Sequence, residues 1–478
     1  SAINGSDGRR LCGIIRWRRS RRNRFLGLSV IILAAGQGTR MRSKLPKVLQ
    51  PLAGRPLLAH VLDTARSVAA TDICVVYGHG GDAVREAFPQ GDIRWALQAE
   101  QHGTGHAMQQ AIPETPDDNT VLVLFGDVPL LLPATLQNLI DASTGDELLV
   151  LSVDMDDPFG YGRIVRDGDA VVGIVEEKDA DTAQKAIREI NTGVMLGSGR
   201  RFRRWLDRLR NDNAQGEYYL TDVIAMAVAD GVAVHGIKAQ SQVEVMGIND
   251  KKQLAEAERA LQARIVDDLM KEGVGFADPA RVDVRGTLTC GADVFIDVNA
   301  VFEGDVVLGD GVTIESNNVL RDSKLGSGVV VHPNCHIEGA TIGDNGEIGP
   351  FARLRPGADL ADNVKIGNFV EIKKSTVADG SKVNHLTYIG DTTIGTNVNV
   401  GAGTITCNYD GANKHRTTIG DGAFIGSGVE LVAPVEVGAG ATIGAGSTIT
   451  KRAPEDQLTI ERAKQLTVKG WKPPTKKS

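Results

Sequence analysis

The hydrophobic pattern of the chain changes near its middle, and the first half alternates strand-like and helix-like segments. From Ser29 to about Asn249, apolar runs stop at glycines, as in LSVIILAAG, DICVVYGHG and TVLVLFGDVPL. Each run is followed by an amphipathic segment of helical length. This alternation predicts a doubly wound, Rossmann-like α/β sheet whose ligands bind beyond the carboxyl ends of the strands.

A single helix is predicted to follow this sheet. Five apolar residues spaced three or four apart form one stripe: Leu254, Ala257, Leu261, Ile265 and Leu269. Such a stripe is typical of an amphipathic helix, and Gly273 is a helix stop signal. Residues 251–273 are therefore predicted to be a helical linker between two domains.

Beyond about Arg281 the hydrophobic period becomes six residues. Between Ile296 and Ile449, 20 of the 25 intervals between successive marker positions are six residues long and four are five. All but two of the markers, Phe302 and Thr406, are Ile, Leu or Val. A hexapeptide period predicts a parallel β-helix, in which each repeat forms one short side of a coil. The one interval of thirteen residues, across CNYDGANKHRTT, predicts a loop that leaves the coil.

Composition and charge exclude several classes of protein. The 478 residues include 56 glycines and only 4% aromatic residues, which suits stacked small turns, and the net charge of −7 argues against general nucleic-acid binding. Residues 1–28 hold eight Arg and one Asp; we expect a disordered basic leader, although an arm that binds polyanions is also compatible. No apolar run reaches the length of a membrane span, and no signal peptide is visible. Five scattered Cys fit neither a disulfide framework nor a zinc site, so we expect a reducing, cytoplasmic location.

The segment LAAGQGTRMRSKLPKVL, residues 33–49, is the first candidate for chemistry. Gly36 and Gly38 would let backbone amides approach a phosphate, and Arg40 and Lys47 could follow charge that moves onto a leaving pyrophosphate. The spacing matches neither GxGxxG nor the Walker pattern, which disfavours a dehydrogenase or a P-loop ATPase. In FGDVP, Asp127 follows an apolar strand, where a carboxylate can hold Mg²⁺, although it could also simply begin a turn.

These segments, with QAEQHGTGHA, GYGRI, GIVEEKDA, EINTG and QGEYYLTD, resemble the family of bacterial bifunctional N-acetylglucosamine-1-phosphate uridylyltransferase/glucosamine-1-phosphate acetyltransferases from about residue 29 to 470. The resemblance implies in-line attack of a sugar 1-phosphate on the α-phosphorus of UTP, with Arg40 and Lys47 as catalytic cations and Asp127 and Asn249 as Mg²⁺ ligands. Phe125 stands where Tyr is expected. The implied contacts with UTP and the product are Leu33, Ala34, Ala35, Gly36, Lys47, Phe125, Gly126, Asp127 and Asn249. Gln98, Gly103 and Thr104 are the implied contacts with uracil. Gly162, Glu176 and Asn191 are the implied contacts with the amino sugar.

The second candidate site lies among the repeats, where a purely structural β-helix would need no particular polar or charged residues at its solvent-facing positions. Arg355 and Lys373 are 18 residues apart, one coil of three repeats, so they should stack and suit a sugar phosphate. His385, between the markers Val383 and Ile389, is a candidate general base for acetylating an amine, with Glu371 available to orient its ring. A solvated histidine in a turn is the alternative.

The same resemblance assigns roles to this second set of residues. It implies that His385 is the acetyl-transfer base and that glucosamine 1-phosphate is bound by Arg355, Lys373, Tyr388 and Asn399. Asn408 and Tyr409 would assist at the reacting centre as acetyl-CoA contacts. The remaining implied acetyl-CoA contacts are Ala402, Ser427, Ala445 and Arg462.

The sequence thus predicts a bifunctional enzyme. The expected parts are a leader (1–28), a uridylyltransferase domain (29–250), a linker helix (251–273), a β-helix acetyltransferase domain (274–462) and a basic tail (463–478). The enzyme would acetylate glucosamine 1-phosphate and then form UDP-N-acetylglucosamine, a precursor of peptidoglycan and lipopolysaccharide. The resemblance further implies a left-handed β-helix and a homotrimer, with no nucleic-acid or membrane partner. Two alternatives remain at this point: a β-helix that only oligomerises or regulates, and a non-catalytic scaffold.

Overall fold

The computed structural model describes residues 27–78 and 80–474, which form two compact units. Among these residues, the first unit contains 27–49 and Leu57–Asn249, and the second contains Gln50–Pro56 and 250–474. Most of the expected leader 1–28 and the last four residues of the expected tail lie outside the described residues. Among the described residues, no helix combines the length and the apolar character needed to cross a membrane.

The first unit is the predicted α/β sheet. Its central strands are parallel, and Glu189–Ser198 runs antiparallel to both of its neighbours. In spatial order the strands are Val234–Lys238, Leu148–Asp154, Glu189–Ser198, Thr120–Phe125, Leu28–Leu33, Asp72–Tyr77 and Ile93–Leu97, with the hairpin Arg163–Asp167 and Ala170–Val175 joined to Glu189–Ser198. The α-helices are Leu57–Ser67, Gly81–Glu86, Thr104–Ala111, Pro133–Ala142, Thr182–Lys185, Gly199–Leu206 and Asp222–Ala229. The short 3-10 helices are Thr39–Met41, Lys47–Leu49, Ile112–Glu114 and Val243–Val245.

Two apolar layers cover the faces of this sheet, because successive residues of each buried strand point to opposite faces. In Leu28–Leu33, for example, Val30 and Ile32 join one layer while Ile31 and Leu33 join the other. From Leu28–Leu33 the chain continues to Asp72–Tyr77 and Ile93–Leu97 on one side and then returns to Thr120–Phe125 on the other side, so a crevice opens at the carboxyl ends there. The predicted Rossmann-like arrangement is confirmed.

The second unit begins with the helix Lys251–Lys271, whose amino end is capped by Asp250 accepting from the Gln253 amide at 2.9 Å. Buried Gln262 on this helix exchanges two hydrogen bonds of 2.8 Å with the backbone of Val284. Its carboxamide therefore pairs with the backbone N–H and C=O of Val284 at the edge of the first coil, as a neighbouring strand would. A two-stranded hairpin, Pro51–Leu52 with Arg55–Pro56, and the short helix Pro279–Arg281 also belong to this unit.

The rest of the second unit is a parallel β-helix, as the six-residue period predicted. One sheet contains the strands Gly275–Phe276, Phe295–Ile296, Thr313–Ile314, Val330–Val331, Glu347–Ile348, Lys365–Asn368, Lys382–His385, Asn399–Val400, Phe424–Ile425, Thr442–Ile443 and Leu458–Thr459. The other contains Val282–Cys290, Ala300–Leu308, Val319–Arg321, Lys324–Leu325, His336–Glu338, Thr341–Ile342, Arg353–Leu354, Ala358–Leu360, Glu371–Lys373, Ser375–Val377, Tyr388–Gly390, Thr392–Ile394, Ile405–Cys407, Thr417–Ile419, Glu430–Val432, Val435–Val437 and Thr448–Ile449.

Every third marker falls into the same column of the core. The register pairs Ile366 with Val383 and then Val400 on one side, and Leu354 with Ile372 and then Ile389 on the next. The third side pairs Leu360 with Val377 and then Ile394. All nine side chains are buried, so one continuous apolar core runs through the coils.

The predicted loop leaves the coil between Ile405–Cys407 and Thr417–Ile419. Thr406, one of the two markers outside Ile, Leu and Val, is fully buried beside it, and its hydroxyl accepts from the Gly390 amide at 2.8 Å. The loop itself is held by Asp410, whose carboxylate accepts from the Ala412 and Asn413 amides and contacts His415 Nε2. These bonds lower the pKa of Asp410.

Candidate active sites

The first candidate site is a cavity of about 340 Å³ at the carboxyl edge of the first sheet. Backbone hydrogen bonds continue the sheet past the strand ends, because the Ala34 amide donates to the Val76 carbonyl and the Gly126 amide donates to the Leu33 carbonyl. This extension brings three predicted segments to the same place. The predicted residues that line the cavity are Leu33, Ala34, Ala35, Gly36, Lys47, Gln98, Gly103, Thr104, Phe125 and Asp127.

Lys47 lies between the two residues that were predicted to hold a metal. Its ammonium nitrogen is 2.5 Å from Asp127 Oδ2 and 3.2 Å from Asn249 Oδ1. The backbone brings these oxygens together, because the Ile248 amide donates to the Asp127 carbonyl at 2.8 Å. Gly38 has a left-handed φ of 61°, and a Cβ on it would stand 2.6 Å from the Cβ of Lys47. A glycine there therefore lets the phosphate loop pass closely over the lysine.

Arg40 is placed differently from Lys47. It lies on the exposed turn Thr39–Met41, outside the cavity lining. A cation at this position can contact a triphosphate tail that extends out of the cavity, whereas Lys47 lies within the cavity wall.

The three residues predicted for the amino sugar form a separate cluster. The Asn191 amide donates to the Gly162 carbonyl at 2.8 Å, and a Cβ on Gly162 would stand 3.2 Å from a Glu176 carboxylate oxygen. Thr221 donates to Glu176 at 3.1 Å, while desolvation raises the pKa of Glu176. The Asn191 side chain accepts from the Gly193 amide at 2.9 Å, and Gly193 packs against the Phe125 ring. This packing connects the cluster to the cavity wall.

Phe125 makes this contact as an apolar ring, and both Phe125 and Asp127 line the cavity, whereas Gly126 between them does not. Gly126 is closely packed, since a Cβ there would stand 2.9 Å from the Cβ of Ala34. The departure from the expected Tyr therefore leaves the backbone at this edge of the sheet intact.

The second candidate site follows one corner of the β-helix. The Gly403 amide donates to the His385 carbonyl at 3.2 Å. In the same way, the Gly428 amide donates to the Ala402 carbonyl at 2.7 Å, and the Gly446 amide donates to the Ser427 carbonyl at 2.8 Å. These bonds relate successive coils, so four of the predicted residues form one column: His385, Ala402, Ser427 and Ala445. Next in the same direction, Arg462 Cδ lies 3.7 Å from the position of a Cβ on Gly446. The exposed histidine thus stands at the head of a row of small residues that ends at a cation.

The partner of His385 differs from the expected one. The sequence analysis expected Glu371 to orient the ring, but His385 Nδ1 lies 2.8 Å from Asn368 Oδ1. Asn368 is directly opposite His385 in the register, one coil earlier. Glu371 instead accepts from Arg355 at 2.8 Å, and this bond raises the pKa of Arg355. The expected contact was wrong because Glu371 lies on the next side of the coil, with Tyr388 as its neighbour.

The two predicted cations are neighbours, and the ejected loop adds a third. Arg353 pairs with Glu371 and Leu354 with Ile372, so Arg355 and Lys373 stand at equivalent positions of successive coils. Lys414 of the loop contacts Lys373, and this contact, followed by burial and the charge of Arg355, lowers the pKa of Lys373. Three cations that repel one another in the absence of an anion make a site for a phosphate group. The sequence analysis missed Lys414, although the thirteen-residue interval contains it.

The remaining predicted residues surround this group. The Tyr388 hydroxyl lies against Gly390, and Asn408 donates to Asp391 at 2.5 Å. The exposed Tyr409 donates to the Gly411 carbonyl at 2.6 Å within the loop. Asn399 faces Lys382, three residues before His385, on the neighbouring strand. The structure therefore brings the cations, Tyr388 and Asn408 together, and leaves Asn399 on the sheet of His385.

The fold and the two sites define a class: a transferase with a nucleotidyltransferase unit and a hexapeptide-repeat unit. Residues 30–220 match the family model of the MobA-like NTP transferase domain. Residues 322–356 and 416–451 match that of the bacterial transferase hexapeptide (six repeats).

Close relatives cover nearly the whole chain. It is 58% identical over 450 residues to the bifunctional protein GlmU of Azoarcus sp. (strain BH72), which covers 94% of this chain and 100% of that protein. The bifunctional protein GlmU of Herminiimonas arsenicoxydans is 55% identical over 449 residues, and that of Acinetobacter baumannii (strain ACICU) 54% over 451, each with 94% of this chain and 99% of the relative covered. The chain belongs to the GlmU family, the bifunctional uridylyltransferase/acetyltransferases that make UDP-N-acetylglucosamine, and the resemblance inferred from its motifs is confirmed.

Proposed function

We propose that the two family reactions are divided between the two sites by the residues described above. The β-helix corner headed by His385 acetylates glucosamine 1-phosphate with acetyl-CoA. The cavity around Lys47 and Asp127 then transfers a uridylyl group from UTP to the N-acetylglucosamine 1-phosphate. The observations that carry the proposal are the column of His385, Ala402, Ser427 and Ala445 along one sheet and the stacked positions of Arg355 and Lys373 along the other. In the proposed reaction, His385 takes the proton, the cations bind the phosphate, and the small side chains of the column leave room for the acyl donor.

Acetyl transfer needs a base because the attacking amine must lose a proton. With Asn368 Oδ1 accepting from Nδ1–H, the His385 ring keeps Nε2 available to take that proton. The amine nitrogen bonds to the thioester carbonyl carbon, the C–S bond breaks, and CoA leaves as the thiol once it receives a proton. Arg355, Lys373 and Lys414 hold the phosphate of the sugar and so fix the position of the amine.

Uridylyl transfer needs charge neutralisation more than a protein base, because its nucleophile is already a phosphate anion. An oxygen of the sugar 1-phosphate attacks the α-phosphorus of UTP, and the bond to the pyrophosphate breaks. Lys47 can follow the charge that develops on the leaving pyrophosphate, and Arg40, on the short helix Thr39–Met41, is the second proposed cation.

The first cavity also fits a magnesium ion. A carboxylate oxygen of Asp127 and the amide oxygen of Asn249 both contact the Lys47 ammonium, so the two oxygens already bind one positive charge. Hard oxygen donors with one carboxylate suit Mg²⁺, which takes its remaining ligands from water and substrate phosphates. When bound, the ion would supply Lewis-acid charge stabilisation to the phosphates.

The assembly and location are proposed on wider grounds. We expect a homotrimer with a left-handed β-helix, as the resemblance implies, in which the loop of Lys414 reaches toward a neighbouring subunit. A cytoplasmic location is supported by the four described cysteines, which are all free thiols.

The proposal is tested by supplying glucosamine 1-phosphate, acetyl-CoA, UTP and Mg²⁺ and following free CoA and pyrophosphate separately. CoA release that requires the sugar phosphate, and pyrophosphate release that requires the acetylated sugar, are the expected results. If either product fails to form, the corresponding half of the proposal is wrong. Pyrophosphate release that persists after chelation of Mg²⁺ would contradict the metal assignment.

Asn368 offers a prediction about the pH dependence of acetyl transfer. Asn368→Asp would place a carboxylate against His385 Nδ1, which stabilises the imidazolium relative to the neutral ring. The base form is then lost at a higher pH, so the acidic limb of the kcat/KM profile should move up by about one pH unit. Asn368 and His385 line a cavity of about 400 Å³ in the β-helix, and His332, Glu347 and Lys365, which also line it, are unchanged in this variant.

The matched variant Asn368→Leu removes the acceptor without adding a charge. It should lower kcat without moving the acidic limb upward, because the ring loses its preferred tautomer and orientation. Identical pH profiles for the parent protein and Asn368→Asp would show that Asn368 does not act on the base.

Lys414 is predicted to bind the sugar phosphate. Lys414→Ala should raise the KM for glucosamine 1-phosphate about tenfold, since a charge-assisted contact with the phosphate is lost, while kcat changes little. Arg416→Ala is the control, because Arg416 lies in the same loop but donates to Thr393 Oγ1. Equal effects of the two substitutions on KM would indicate that the loop acts only through its overall charge.

A further inference from the structure

The Gln98 side chain is held in one orientation in the wall of the first cavity. It is buried, and its Nε2 donates to the Gly103 carbonyl at 3.1 Å and lies 3.1 Å from His106 Nδ1. A backbone carbonyl can only accept, so the nitrogen end of the carboxamide must point toward Gly103. Both N–H groups of Gln98 are then directed at protein acceptors.

His106 completes this arrangement as an acceptor. Because Gln98 supplies the proton of their hydrogen bond, His106 Nδ1 carries none, and the neutral ring has its proton on Nε2. The ring belongs to the helix Thr104–Ala111 and packs near the rings of His102 and Tyr218, with centroid distances of 5.1 and 6.4 Å. His102 is in turn bonded to Glu100 at 2.7 Å.

The side-chain oxygen of Gln98 is available to accept a hydrogen bond from a ligand. Within residues 27–78 and 80–474, no hydrogen bond reaches Gln98 Oε1, although the residue lines the cavity. A base edge that meets this oxygen must bring an N–H group. Uracil has one at N3, whereas N3 of cytosine is an acceptor and would face Oε1 with two opposed lone pairs.

We propose that His106 is a positioning residue that determines nucleotide specificity by holding Gln98 in its acceptor-out orientation. The inference rests on the proposed uridylyl transfer and adds the residue that makes the site select uracil over cytosine. Without His106, the carboxamide keeps a single acceptor for its two N–H groups. It can then turn its nitrogen toward the base, where it suits cytosine.

The test measures kcat/KM for UTP and for CTP in the full-length protein, with N-acetylglucosamine 1-phosphate and Mg²⁺. His106→Phe keeps a ring but removes the acceptor, and it should lower the UTP to CTP ratio about tenfold, the effect of losing one buried hydrogen bond. His106→Asn supplies Oδ1 as an acceptor near the place of Nδ1, so it should retain most of the ratio. His102→Leu is the matched control, since His102 contacts Glu100, and its ratio should stay unchanged.

A shift in the ratio confined to His106→Phe, with His106→Asn near the parent value, supports the proposal. An equal loss of kcat/KM for both nucleotides in His106→Phe, or an equal ratio change in the Phe and Asn variants, overturns it. The parent protein separates this inference from the proposed function. If it releases no pyrophosphate from UTP, the uridylyl transfer itself is wrong and the inference falls with it.

Discussion

Replacing His385 with alanine is expected to lower kcat for acetyl transfer by about 10²- to 10⁴-fold, the usual contribution of a general base. The amine of glucosamine 1-phosphate must lose a proton as it attacks, and His385 Nε2, at the head of the column of small residues, is the proposed acceptor. The ring is exposed and its Nδ1 is bonded to Asn368, so alanine removes no core contact. Release of free CoA reports the loss, and release of pyrophosphate from UTP should be unchanged.

His336→Ala provides the control for this substitution. His336 is a second exposed histidine in the same β-helix, on the strand His336–Glu338, and it has no role in the proposed chemistry. It should retain acetyl transfer. Substantial CoA release by His385→Ala at high pH and low pH alike would show that another group takes the proton.

The second large effect is expected at Asp127. Asp127→Asn keeps the size and one oxygen of the side chain but removes the charge opposite Lys47, so uridylyl transfer should fall by at least about a hundredfold. The substitution weakens the site twice, because the proposed Mg²⁺ ligand loses its charge and Lys47 loses its anionic partner at 2.5 Å. Pyrophosphate release measures the loss, and acetyl transfer should continue at the parent rate.

Asp92→Asn is a suitable comparison for the charge change. Asp92 pairs with Arg66 on the surface of the same unit, and exposed pairs of this kind contribute little to stability. This variant should keep full uridylyl transfer. If Asp127→Asn also retains most of its activity, and does so across a titration of Mg²⁺, Asp127 is not a metal ligand.

The repeat architecture could be predicted from the sequence because its signal is one-dimensional. Each buried marker contacts the marker one coil away, so a fixed spacing along the chain becomes a fixed contact in space. The register of Ile366, Val383 and Val400 follows from counting alone. The same counting places Arg355 beside Lys373. It would also have found Asn368, which lies 17 residues before His385, one coil shortened by a five-residue interval.

Other parts of the sites could not be obtained by counting. Lys414 lies in the loop that interrupts the period, so its contact with Lys373 depends on how residues 408–416 fold back. The pairing of Glu371 with Arg355 rather than His385 depends on which side of the coil each residue faces. In the first unit, the bond between Gln98 and His106 depends on a helix turn that no motif specifies.

The column from His385 to Arg462 also fixes a distance along the axis of the β-helix. Four coil steps separate the two residues, through Gly403, Gly428 and Gly446, and at about 4.8 Å per strand the span is roughly 19 Å. An acyl donor that contacts both ends must therefore have a long flexible arm, which a small donor such as acetyl phosphate lacks. Because the span comes in whole coils, duplication of one eighteen-residue coil would lengthen it by about 4.8 Å while leaving every local contact intact. For the proposed donor site, the number of coils rather than any single side chain therefore fixes the distance that the donor must span.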